Sequence, residues 1–411
     1  MIRIQSLSSG AAAFTALAAL AAGCSGSPAP SLASRQKAAE SAVAALQRGS
    51  FERAGELARD RAAVDSENPY SRLVTAVTRY KKSMHQLALD GRTVVIGGLE
   101  SGNLNQKYLK TTLTDAEADL AAVEEDLAVV AREPAFAVEL CVACWEIDWN
   151  GNGRVDDRDR LLFQIEQDEN GEEIPEGDPR RKPTFRFDHG DIAWARAFVS
   201  FQRAALDVLL AYDWTDVAKI AMSRRDRPDE IVIRLVDGGR IDAARRRFLD
   251  GLAFSDASRK EYLAETDDDR EWLPSPKQVN HPMPLPVDAA LYDTWEGVVG
   301  DLERLVEGEE GLFVADLFTL AEEEPETKPR GYLDIGSMLS HPKDIVLDLG
   351  TLDRLGGARD VEGLLKATLG DHYVSSMKPS PLPRRLLRMK GEIDRHEGEL
   401  DRKLRYLFWV N

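Results

Sequence analysis

Twelve residues, DWNGNGRVDDRD from Asp148 to Asp159, form the one stretch of the chain where oxygen-bearing side chains recur at a spacing with chemical meaning. A hard divalent cation such as calcium takes six to eight oxygen ligands, and a 12-residue loop wraps it with positions 1, 3, 5, 7, 9 and 12. Counted from Asp148, those positions fall on Asp148, Asn150, Asn152, the backbone carbonyl of Arg154, Asp156 and Asp159. Gly153 stands at position 6, where the chain must turn into a conformation costly to any residue with a side chain. Arg154 is harmless because only its carbonyl is asked to bind. Three carboxylates and two amides point to modest affinity, on the order of 10⁻⁴ M, suited to a compartment rich in calcium. A solvated Asp/Asn/Gly turn between two helices is the competing reading.

The pattern resembles an EF-hand, and N-G-N-G-x-V-D with Asp at the last position is similar to the dockerin variety of that loop. The resemblance implies a helix–loop–helix unit, with PAFAVELCVACWEI entering as a helix, RDRLLFQIEQ leaving as one, and Val155 turned towards the core. Asp159 departs from the family's usual Glu by one methylene, so it binds through one oxygen or needs the outgoing helix closer. Dockerins carry two such loops and this chain has one, so no cohesin-binding role is carried over. A single loop with no Met-rich groove beside it reads as a structural staple, not a sensor.

Other chemistry-bearing groups are fewer. Cys141-Val142-Ala143-Cys144 has thioredoxin-like spacing, but it falls late in a stretch read as helical, so a local disulfide or a pair of buried thiols is expected instead. Asp188-His189-Gly190-Asp191 reads as a helix start, with Asp188 as N-cap and Asp191 in the capping-box position, and alternatively as a metal or acid–base cluster. ETDDDREW gathers Asp267, Asp268, Asp269 and Glu271 in what reads as a solvated acidic turn. The six histidines are scattered without HExxH, and neither a GxSxG elbow nor a P-loop is present.

The N-terminus MIRIQSLSSGAAAFTALAALAAGC joins an early Arg3 to an apolar run too short to span a bilayer permanently, the shape of a signal-peptide core. Its LAAGC ending resembles the lipobox of bacterial lipoproteins, which implies removal of residues 1–23 and lipid attachment at Cys24. Residues 24–33 read as a small-residue tether, and the same resemblance to lipoproteins implies, through Ser25 in place of Asp after the cysteine, the outer membrane. No later segment has the apolar length of a membrane span. Arg196, Arg203 and Asp207 interrupt the greasiest run, IAWARAFVSFQRAALDVLLAY. The formal charge of -18 argues against nucleic acid as a partner and favours cations.

The elements that must position these groups read as helices. With 411 residues, 43% of them hydrophobic and 30% charged, the chain has ordinary globular composition and enough length for a real core. The fold expected is all-α, a multi-helix bundle or array with the helix–loop–helix motif and at most a minor β-hairpin, signalled by Asn170-Gly171. Residues 34–134 form an N-terminal helical region, 135–214 carry the calcium loop and a long core helix, and 215–411 form a C-terminal helical region in which EIVIRL is the one run that reads as a strand. Gly49 ends one helix and Asn68-Pro69 opens another. The run ALQRGSFERAGELARDRAAVDSENP resembles a tetratricopeptide helix pair through Gly49, Phe51 and Ala54, over some 35 residues and in one copy. The C-terminal Leu404, Leu407, Phe408, Trp409 and Val410 are expected to dock on another helix. The function expected is a calcium-binding, membrane-tethered lipoprotein of the cell envelope that binds or scaffolds an envelope protein or polymer. An envelope hydrolase using paired carboxylates is the alternative.

Overall fold

The computed structural model describes residues 30–145, 154–155, 168, 172–221, 228–266, 270–278, 288–313, 332–350, 374–375 and 377–394. Helices make up most of it, and their ends fall where the capping residues put them. Helix α1 (Leu32–Gln47) begins at Ser31, whose hydroxyl accepts the Ser34 amide at 3.3 Å. Gly49, at φ 70°, makes the left-handed turn that lets α2 (Phe51–Val64) double back. Asn68 accepts the Ser71 amide at 3.1 Å and Pro69 occupies the first position of α3 (Pro69–Ser101), where its missing N–H costs nothing. Asn105 caps α4 (Gln106–Val130) in the same way.

After α4 the chain departs from the helical expectation. Ala137–Leu140 is a strand, β1, paired antiparallel with β2 (Phe185–Asp188), so that Val138 lies opposite Phe187 and Leu140 opposite Phe185. Val138 and Leu140 are buried while Glu139 between them is exposed, the period of two that marks a half-buried strand. The Cys141–Cys144 pair therefore follows a strand and closes a short 3₁₀ turn over Val142–Cys144, not the end of an α-helix.

Helix α5 (His189–Ala211) leads into β3 (Tyr212–Asp213). The expected strand EIVIRL is β4 (Glu230–Leu235), and it sits between β3 and β7 (Ile345–Asp348) in an antiparallel sheet. Helix α6 (Gly238–Ala264) returns along α5, and α7 (Ala289–Glu307) packs on α6. Three short strands, β5 (Leu312–Phe313), β6 (Tyr332–Leu333) and β8 (Val374–Ser375), form a third small sheet near α8 (Ile335–Ser340) and α9 (Leu382–Asp394). The helical class holds, and the β content is spread over these small sheets instead of one hairpin. The turn at Asn170-Gly171 lies outside the described residues. Its flanks do bond across, Asp168 N–H donating to the Glu172 carbonyl at 2.9 Å and Glu172 N–H to the Asp168 carboxylate at 3.0 Å.

One apolar core runs from Ala39 of α1 to Tyr292 of α7 and takes in the apolar face of the β1–β2 pair, Val138, Leu140, Phe185 and Phe187. A smaller core of Ala211, Tyr212, Ile231, Ile233, Ile241 and Leu349 underlies the β3-β4-β7 sheet. Among the described residues no helix is long and apolar enough to cross a membrane.

Candidate functional site

Strand β2 sorts its side chains by parity. Phe185 and Phe187 are buried in the main core, and Arg186 and Asp188, on the opposite face, are only partly covered. Asp188 is also the N-cap of α5. Its carboxylate accepts the Gly190 amide at 2.9 Å, while Asp191 reaches back to accept the Asp188 amide at 2.9 Å, completing a capping box. The other Asp191 oxygen accepts the phenol of Tyr262, in the last turn of α6, at 2.7 Å. Glu265 stands just beyond that turn. Glu271 arrives from a separate segment, laid against β2 by the Arg186 N–H donating to the Arg270 carbonyl at 2.7 Å and held by the fully buried Trp272.

These elements bring carboxylate oxygens of Asp188, Glu265 and Glu271 all within 4.8 Å of one another. Oxygens at about 2.3–2.6 Å from a single calcium ion necessarily lie within about 5 Å of each other, so these three residues could hold one divalent cation. Arg186 contributes one guanidinium nitrogen to both Asp188, at 3.1 Å, and Glu271, at 3.2 Å. Burial, reinforced by Asp188, raises the Asp191 carboxyl well above the ordinary range. Glu265 is pushed up to about 9, first by burial and then by the negative charge of Asp188, Glu271 and Asp191, and it shares a hydrogen bond with Asp188. Burial also raises Tyr262 and Tyr292, with Asp191 and Glu265 adding to the effect. Burial and mutual repulsion thus favour the protonated form of Asp191 and Glu265 within the cluster.

The residues singled out by spacing fare differently. Asp188 and Asp191 cap α5 as expected and also build the cluster. Glu271 is fully buried and paired with Arg186, so it is no part of a solvated turn. Asp267, Asp268 and Asp269 lie outside the described residues. Glu265 escaped sequence reasoning: a lone Glu after YLA carries no motif, and only the approach of α6 to β2 gives it neighbours. Cys141 and Cys144 form a disulfide, with Cα atoms 5.3 Å apart. Of the 148–159 loop, Arg154 is exposed and Val155 half-buried. Asp148, Asn150, Asn152, Asp156 and Asp159 lie outside the described residues, as do Cys24 and the aromatic end at 404–410.

No protein-family model matches the chain, and no curated protein or solved structure matches it. The fold and cluster define a mostly helical protein with a buried cluster of carboxyl groups at the meeting of β2, α5 and α6.

Proposed function

We propose that this chain is a calcium-binding lipoprotein of a bacterial cell envelope, tethered through Cys24 to the outer membrane, with a binding or scaffolding role towards an envelope protein or polymer. Calcium, held by the EF-hand- or dockerin-like loop of Asp148, Asn150, Asn152, Arg154, Asp156 and Asp159, acts as a structural staple. The observation that carries this reading is the Cys141–Cys144 disulfide and its position. It fits an oxidising, exported setting, and it pins the chain immediately before the loop. Trp145, buried and edge-on to Phe51 of α2 at 5.4 Å between ring centres, seats that same incoming arm on the helical core. An arm anchored twice loses less freedom when the loop closes on an ion, which favours binding by a short carboxylate set.

One observation favours the second reading, an envelope hydrolase with paired carboxylates: Glu265 keeps its proton to about pH 9 beside Asp188, as a general acid must. The carboxylates of Asp188, Glu265 and Glu271, with oxygens within 4.8 Å of one another, are close enough to act as a pair.

Terbium luminescence sensitised by Trp145 and Trp149 separates the two candidate ion sites. Emission lost in Asp148→Ala and kept in Glu271→Gln supports the loop. Emission kept in Asp148→Ala and lost in Glu271→Gln moves the ion to the buried cluster, and the loop assignment fails.

A further inference from the structure

Cys141 follows strand β1 directly and is buried, and the disulfide joins it across a two-residue turn to Cys144, which is partly exposed. A C-x-x-C pair placed behind a strand is an arrangement in which a disulfide can open and close. The helical context that argues against such exchange does not hold at these residues.

The turn keeps its shape without the sulfur–sulfur bond. Its backbone closes through the Cys144 N–H donating to the Cys141 carbonyl and the Trp145 N–H to the Val142 carbonyl, both at 3.1 Å. On the incoming side, β1 is fixed by pairing with β2, by the Gln47 amide donating to the Glu139 carbonyl at 2.8 Å, and by Arg270 reaching the Glu139 carboxylate at 2.9 Å. On the outgoing side Trp145 is buried against Phe51. A cross-link stabilises chiefly by restricting the unfolded chain, and it contributes least when the loop it closes is short, as at this separation of 3 residues. The fold therefore depends little on this bond.

The two sulfurs are not equivalent. Cys144 is the less covered residue, so an incoming thiolate reaches its sulfur first. Cys141 holds its Sγ 3.5 Å from the carbonyl oxygen of Lys182. In the disulfide that contact has no proton to share. Once Cys141 is a thiol, its S–H can donate to the Lys182 oxygen, a weak bond that favours the reduced state and makes the disulfide a better oxidant.

We propose that Cys141–Cys144 is an exchange-active disulfide that accepts two electrons from a dithiol of a partner protein. A partner thiolate attacks the Cys144 sulfur, the S–S bond breaks, and Cys141 leaves as a thiolate that takes up the proton the attacking thiol gave up. The partner's second thiol, itself deprotonated, then attacks the partner's own sulfur in the mixed disulfide and releases Cys144, which takes up that proton in turn. The partner ends as a disulfide and this chain as a dithiol. No calcium enters these steps, and an inert disulfide would leave the calcium proposal as it stands.

The test uses the folded chain with glutathione as the thiol probe, followed by acid quenching, alkylation and peptide mass mapping that separates Cys141 and Cys144 from Cys24. Structural disulfides of exported proteins resist glutathione. Reduction without denaturant is expected here, with both thiols alkylated and unfolding still cooperative. Given oxidised glutathione, Cys141→Ser should form the mixed disulfide on Cys144 at least about tenfold faster than Cys144→Ser forms it on Cys141. A disulfide that glutathione reduces only in denaturant overturns the proposal. So does reduction that unfolds the chain, or equal rates for the two variants. The native chain decides the matter even where a variant does not fold.

Discussion

The phenol of Tyr262 donates to the Asp191 carboxyl at 2.7 Å, and both side chains are buried. This bond joins the last turn of α6 to the first turn of α5, and it helps fix the geometry on which Asp188, Glu265 and Glu271 converge. Tyr262→Phe leaves the ring packing in place and deprives a buried acceptor of its donor. A loss of about 1–3 kcal/mol in urea unfolding is expected. A variant as stable as the native chain would remove the bond from any structural role.

The carboxyl cluster predicts a particular pH dependence. Glu265 holds its proton to about pH 9 in the folded chain, against a reference value of 4.5. The folded state thus binds more protons across that window. The contribution of Glu265 is fully present below the unfolded value and declines as pH rises through the folded one. The groups facing it are Asp188, Asp191 and Glu271, with Tyr292 and the Gln278 amide at 3.5 Å, while Arg186 pairs with Asp188 and Glu271. Glu265→Gln, which cannot ionise, should gain in melting temperature over the native chain progressively from mildly acidic to alkaline pH. Parallel melting curves across that range would contradict the raised carboxyl.

Calcium should stabilise the mature domain. With an affinity on the order of 10⁻⁴ M, a hundredfold excess over the dissociation constant adds about 2.7 kcal/mol. Calorimetry with calcium and with chelator measures it. An unchanged melting temperature, with Asp148→Ala behaving as native, would leave the staple without support.

Asp207 predicts the largest effect of a single substitution. It is fully buried in α5, accepts from Arg240 at 2.8 Å and pairs with Arg247, which in turn meets Glu117 of α4 at 3.0 Å. Arg203 ties α5 to Glu117 and Glu124 of the same helix. Asp207→Ala removes the buried acceptor that Arg240 and Arg247 share, leaving Arg247 its pair with Glu117 and Arg240 its longer contact with Asp237 at 4.0 Å, and about 3 kcal/mol should be lost in denaturant titration. A loss below about 1 kcal/mol would mean that water satisfies the arginines.

The legible parts of this fold were the helix ends and their long apolar faces. Asn68 and Asp188, read as helix starts, each place a side-chain oxygen on an amide two or three residues ahead, so the signal and its consequence lie within one turn. Strand β4 was legible because EIVIRL is rich in β-branched residues. Strand β1 was not, since AVEL is short and neighbours Ala-rich helices, and only pairing with Phe185 and Phe187 some 50 residues away fixes its conformation. The same distance in sequence hid the cluster: Asp188 and Asp191 explain themselves as caps, and Glu265 and Glu271 belong to other elements.

Composition, spacing and local caps were thus enough to establish a mostly helical chain and several of its helix starts, although α1 begins at Leu32, inside the stretch read as a tether. Each of those depends on residues within a few positions of one another. Where the carboxyls of Asp188, Glu265 and Glu271 meet, and what that proximity does to their protons, was decided by α6 and the 270–278 segment packing against β2. Electrostatic coupling depends on distance through space, and tertiary packing alone sets that distance.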